Sequence, residues 1–138
     1  KSHAGSDAGL SVATCIGETR DEREDGTTLS GIDTQLAGSI PDGADAENTV
    51  VAYEPVWAIG TGKVPTTDQI AEVHAHIRAR LAERFSDGAE MRILYGGSVK
   101  GSNAAEIFSV PHVNGAHGGG ALLEAAELSP IITALENA

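Results

Sequence analysis

The chain has 138 residues, the size of one ordinary domain, with 20 acidic residues against 9 basic ones and a formal net charge of -11. That balance excludes nucleic acid and anionic membrane surfaces as general partners, although converging backbone amides hold a small anion without any net positive charge. A single cysteine, Cys15, excludes an intrachain disulfide and fits a reducing, cytoplasmic setting; no apolar run approaches the ~20 residues of a membrane helix, and no signal-peptide pattern is visible. The chain opens on Lys1 rather than Met, as a processed, cloned or truncated product does.

In chain order, short apolar runs end in glycine and pass into helix-compatible stretches. The first strand is expected over 10–16 (LSVATCI), closed by Gly17, and a weak helix over roughly 27–40. A loop, IPDGADAEN, spans 40–48. The second strand, TVVAYE at 49–54, runs into Gly60 and Gly62. The clearest helix covers 66–85, where Ile70, Val73, Ile77, Leu81 and Phe85 recur at three- and four-residue steps and form one stripe. Thr66 or Thr67 caps its start, and Asp68 lies near its positive end. A third strand, MRILYG at 91–96, leads into a short helix over roughly 101–109. A fourth, VNGAH at 113–117, precedes Gly118 to Gly120 and a last helix over roughly 130–136.

Four strand–turn–helix units in series predict an α/β fold with a parallel sheet and right-handed crossovers. The second and third runs are almost continuously apolar, which suits strands covered by helices. Two architectures fit: an open doubly wound sheet, or part of a (β/α)8 barrel. In both, chemistry belongs at the carboxyl ends of the strands, where Glu54 and the glycine clusters lie.

Glu54 is the candidate base. Its neighbours Pro55, Val56, Trp57 and Ile59 can hold a carboxylate partly dry, which favours proton abstraction. The plain alternative is a solvated or salt-bridged glutamate. The loop that follows reads as a lid, with Pro55 and Pro65 stiffening its shoulders and Gly60 and Gly62 freeing its tip; the alternative is a turn that never moves. YGGSVK (95–100) and HGGG (117–120) are phosphate candidates, because consecutive glycines let N–H groups converge on an anion, Ser98 adds a hydroxyl, and a following helix start adds partial positive charge. HGGG also resembles a lipase oxyanion loop, but the Gly-x-Ser-x-Gly elbow this requires is absent. His74 and His76 stand two apart on a helix and share no face, so no metal site is expected from them. His3 and His112 show no partner pattern.

CIGETRDERE (15–24), VVAYEPVWAIGTGK (50–63), RILYGGSVK (92–100) and VNGAHGGGALL (113–123) closely resemble triosephosphate isomerase, in order and in spacing, over essentially the whole chain. The resemblance implies one domain, 1–138, corresponding to strands five to eight of a TIM barrel: a (β/α)4 half barrel carrying the tail of the preceding helix. It implies a cytoplasmic glycolytic enzyme interconverting dihydroxyacetone phosphate and glyceraldehyde 3-phosphate, with no metal or organic cofactor. Glu54 is then the catalytic base. Pro55, Val56, Trp57, Ala58, Ile59, Gly60, Thr61, Gly62 and Lys63 belong to the lid, and Glu18, Trp57 and Tyr95 steady it. Gly60, Ser98, Gly119 and Gly120 supply phosphate contacts, and Cys15 packs beneath the site.

The family's electrophilic histidine and its substrate-binding lysine and asparagine come from the first half, which nothing here resembles. Where the family typically reads Asp-Gly-Phe-Leu-Val-Gly-Gly, this chain reads NGAHGGG. Asn114 replaces a carboxylate that pairs with an arginine, here Arg78, and His117 and Gly118 replace two apolar residues. Four barrel strands leave two open edges and an uncovered inner face. The expectation is therefore little or no turnover by this chain alone, and a partner that closes the barrel: a second copy, or a separate amino-terminal half. A phosphate-binding module without catalysis and a purely structural half-domain are the competing expectations.

Overall fold

Three parallel strands, β1 (Val12–Ile16), β2 (Thr49–Tyr53) and β3 (Arg92–Tyr95), form a sheet in the order β1-β2-β3 in a computed structural model that describes residues 1–138, the side chain of Leu122 excepted. The helices are α1 (Ser2–Asp7), α2 (Arg20–Glu24), α3 (Thr28–Ser39), α4 (Thr67–Arg84), α5 (Ala104–Phe108) and α6 (Ala125–Glu136). The long helix starts where its residues dictate. Thr66 Oγ1 accepts from the Gln69 N–H while Gln69 accepts from the Thr66 N–H, a reciprocal cap.

Side chains alternate across a strand, and here the alternation separates a covered face from a bare one. Ile16, Val51, Tyr53, Ile93 and Tyr95 are buried against Ile32 and Leu36 of α3 and Ile70, Val73, Ile77 and Leu81 of α4. Each such aliphatic side chain contributes about 1.5–3 kcal/mol by leaving water. On the other face Ala13, Cys15 and Arg92 are exposed, and Val50 and Leu94 are half-buried. Parallel sheets are normally covered on both faces.

The expected fourth strand is corrected. Segment 113–117 does run beside β3: the Asn114 N–H donates to Ile93 O (2.9 Å), the Tyr95 N–H to Gly115 O (3.0 Å) and the His117 N–H to Tyr95 O (2.9 Å). It nevertheless makes only an isolated bridge, Tyr95 to Ala116, and it carries Gly115, which has no side chain to pack and costs entropy to order. The helices also differ in two respects. The last helix begins at Ala125, with Pro130 inside it rather than at its start. Helix α2 was not expected at all, although Thr19 and Glu22 form a capping box that announces it.

The register positions the site. Ile16 pairs with Tyr53, Tyr53 with Tyr95, and Tyr95 with Ala116. The next residue of each segment continues the ladder: the Glu54 N–H donates to Ile16 O (2.7 Å), the Gly96 N–H to Tyr53 O (2.7 Å), and the His117 N–H to Tyr95 O. Gly17, Glu54, Gly96 and His117 thus stand in one row, at the carboxyl ends of the strands and on the bare face. A Cβ on Gly96 would lie 2.4 Å from Glu54 Cγ, so only glycine leaves room for that carboxylate. Gly96→Ala is expected to destabilise the fold by about 1–3 kcal/mol in denaturant unfolding. Gly38→Ala, in α3 with open space around it, is expected to stabilise by about 0.5–1 kcal/mol. Equal effects at the two positions would contradict the crowding at Gly96.

His74 gives a second check. It is fully buried on α4, its Nδ1–H donates to His112 O (3.0 Å), and burial pushes its pKa down to about 4. An unfolded imidazole takes up its proton near 6.5, so unfolding gains a proton between those values and stability falls as pH drops through that window, by about 3 kcal/mol in all. His74→Asn, which keeps a donor for the carbonyl, is expected to remove that part of the pH dependence; an unchanged slope would contradict it.

Candidate active site

Glu54 leaves the end of β2 as a half-buried carboxylate whose Oε1 lies 2.7 Å from Nδ1 of His117. The two residues come from segments separated by β3 and meet across the missing side chain of Gly96. Cys15 belongs to the same face, one row earlier. It is exposed rather than packed beneath the site, because it points to the side of the sheet that no helix covers. Partial burial first, and then the Glu54 carboxylate beside it, push the Cys15 thiol up, so it rests as a thiol.

Beyond Glu54 the chain turns through a short 3₁₀ segment, Val56–Ala58, and reaches the glycine tip. Gly60 and Gly62 adopt φ of +69° and +74°, the left-handed region open to glycine at little cost. Val56, Ile59 and Val64 are about half exposed, an unusual density of bared aliphatic surface for one loop. Thr61 ties the loop to itself, donating through Oγ1 to Trp57 O and Ala58 O and accepting from the Lys63 N–H.

The loop is tethered at Glu18. This carboxylate is fully buried, and its Oε1 accepts from Trp57 Nε1 (3.0 Å), Tyr53 Oη (3.1 Å) and Arg23 Nε (2.9 Å). A buried carboxylate is costly unless a cation accompanies it, and Arg23 supplies that cation from α2. No local sequence pattern pairs Arg23 with Glu18; the capping box that starts α2 turns it back onto that carboxylate. Tyr95 makes no side-chain hydrogen bond to the loop among the described residues. Its hydroxyl is buried and has no hydrogen-bond partner among the described residues, and burial followed by the Glu18 charge pushes its pKa up to about 12.

The phosphate candidates converge. A cleft of about 730 Å³ is lined by Gly60 from the loop after β2, Gly96 and Ser98 after β3, and Gly119 and Gly120 after segment 113–117. Gly96 is shared: it walls the cleft and abuts Glu54. The expected helix starts lie farther away, with α5 beginning at Ala104 and α6 at Ala125; only the 3₁₀ turn Gly120–Leu122 begins at the glycines. Asn114 keeps the expected partner without the charge: Arg78 Nη2 donates to its Oδ1 (3.0 Å), while Arg78 Nη1 donates to Gly88 O (2.7 Å).

The chain is similar to known proteins along its length. The family model for triosephosphate isomerase matches residues 1–135. The triosephosphate isomerase of Ruegeria sp. (strain TM1040) is 64% identical over 136 residues, covering 98% of this chain and 55% of that protein. That of Ruegeria pomeroyi is 60% identical over 140 residues, covering all of this chain and 56% of the relative. The crystal structure of triosephosphate isomerase from Bartonella henselae superposes with a TM-score of 0.91 at 47% identity, over 99% of this chain and 55% of that one. The chain spans about half the length of the relatives it matches. Matched along its whole length in sequence and in fold, the chain belongs to the triosephosphate isomerase family.

Proposed function

We propose that this chain supplies the base, the lid and the phosphate cradle of a triosephosphate isomerase, as the carboxyl-terminal half of its barrel. The observation that carries the reading is the cleft: Gly60, Ser98, Gly119 and Gly120 line one cavity whose wall, Gly96, abuts Glu54. Backbone N–H groups at these glycines and the Ser98 hydroxyl suit a phosphate dianion in a chain that is acidic overall.

With the phosphate held there, Glu54 takes a proton from the carbon beside the carbonyl of dihydroxyacetone phosphate. It returns that proton to the neighbouring carbon after an enediolate, giving D-glyceraldehyde 3-phosphate. Substrate entry exchanges the Glu54–His117 hydrogen bond for contact with the substrate. Lid closure breaks the Trp57–Glu18 bond and carries Val56, Ile59 and Val64 over the site, which dries it; the unpaired Tyr95 hydroxyl is then a partner for the closed loop. Donors that polarise the carbonyl come from the complementary half, and losing one such donor typically costs about 10²–10³ in rate. That half covers the bare face bearing Ala13, Cys15 and Arg92. A second copy of this chain is the alternative cover, without the donors.

A phosphate-binding module without turnover is the second reading, and one observation favours it: the cleft is built from this chain's residues alone. Inorganic phosphate titrated into the chain is expected to shift the amide resonances of Ser98, Gly119 and Gly120 saturably; unsaturated or absent shifts reject a cradle. In the complex with an amino-terminal half of the family, isomerase turnover is expected, and Glu54→Gln is expected to lower kcat about 10²–10⁴-fold with KM little changed. Undiminished turnover by Glu54→Gln would overturn the assignment of the base.

A further inference from the structure

The histidines His74 and His76 share no face for a metal, yet a different grouping forms when the strands align. The sulfur of Cys15, a carboxylate oxygen of Glu54 and an imidazole nitrogen of His117 all lie within 4.8 Å of one another. They come from three segments far apart in sequence, so no local spacing announces them. We propose that these three side chains form a binding site for zinc or a similar borderline transition metal.

The chemistry of the set selects the ion. One thiolate, one imidazole and one carboxylate suit Zn²⁺ or Co²⁺, whereas Mg²⁺ and Ca²⁺ take oxygen donors. Three protein ligands leave a fourth tetrahedral position for water, reached from the carboxyl ends of the strands where Glu54 and His117 stand beside the cleft walled by Gly96. The distances fit with small side-chain rotations. Zinc bonds of ordinary length place tetrahedral donors about 3.3–3.6 Å apart. The Glu54–His117 pair, now at 2.7 Å, opens slightly to admit the ion, and Cys15 closes in from its exposed position. The backbones need not move, because Glu54 and His117 are anchored through their N–H groups to Ile16 O and Tyr95 O. Binding deprotonates the Cys15 thiol and releases that proton to solvent. An ion there occupies the Glu54 oxygen, so metal and substrate exclude each other.

The site does not depend on the isomerase reading, and the test reads light absorption rather than turnover. Co²⁺ is titrated into the purified full polypeptide that carries this chain. The expected result is saturable uptake with visible d–d bands of tetrahedral intensity and a near-ultraviolet sulfur-to-cobalt charge-transfer band, both bleached by added Zn²⁺. Cys15→Ser is expected to abolish the charge-transfer band. His117→Leu, which leaves the thiol in place, is expected to weaken binding by at least about tenfold. His76→Ala, at the separate His76–Asp33 pair, is expected to change neither. Absence of the charge-transfer band, its survival in Cys15→Ser, or unchanged affinity in His117→Leu with native circular dichroism would overturn the site.

Discussion

The arrangement depends on one crowded position, the row Gly17, Glu54, Gly96 and His117 at the carboxyl edge of the sheet. In a parallel sheet, residues of one row stand shoulder to shoulder, and a long side chain normally meets another on each side. Here Glu54 has glycine on both sides. A Cβ on Gly17 would strike Glu54 O at 1.7 Å, and one on Gly96 would strike its Cγ. The two glycines draw the strand ends together and clear a lane in which the carboxylate reaches His117. The same lane opens onto the cleft between the lid and the glycine loops. The placement of the Glu54 carboxylate beside the cleft follows from keeping that row narrow.

The second governing feature is the asymmetry of the sheet. Its helix-facing side is filled by Tyr53, Tyr95 and the aliphatics of α3 and α4, and it accounts for the stability of this part of the molecule. The opposite side carries Cys15, Arg92 and the row with Glu54, and in a closed barrel it is the interior. A chain that spends its apolar residues on one side of a parallel sheet is shaped for a partner on the other. The Glu18 cluster fits the same logic: it ties the loop after β2 to α2 through Trp57 and Arg23, a pairing that needs nothing from a complementary half.

The fold was legible wherever period and punctuation agreed. The stripe from Ile70 to Leu81 and the Thr66 cap marked α4 to within a residue, and the apolar runs before Gly17, Glu54 and Gly96 marked three strands. The fourth run, VNGAH, carries the same kind of signal as the others, but Gly115 in its middle offers no side chain to pack, and 113–117 makes only an isolated bridge to β3. The residues that the family resemblance names for the phosphate, Gly60, Ser98, Gly119 and Gly120, line one cleft. Arg23 and His117 were not legible, for different reasons. Arg23 acts through a five-residue helix too short for periodicity to reveal. His117 departs from the family pattern, and its contact with Glu54 depends on a glycine in a different strand.

The central claim is that the bare face of the sheet is covered in the working protein. Native mass spectrometry of the purified protein, with a denatured mass beside it, tests this most directly. The account predicts that the 14.1 kDa chain appears only in an assembly, with a second copy or a distinct chain, or that the denatured polypeptide is itself about twice that mass. A folded, monodisperse 14.1 kDa monomer would contradict it.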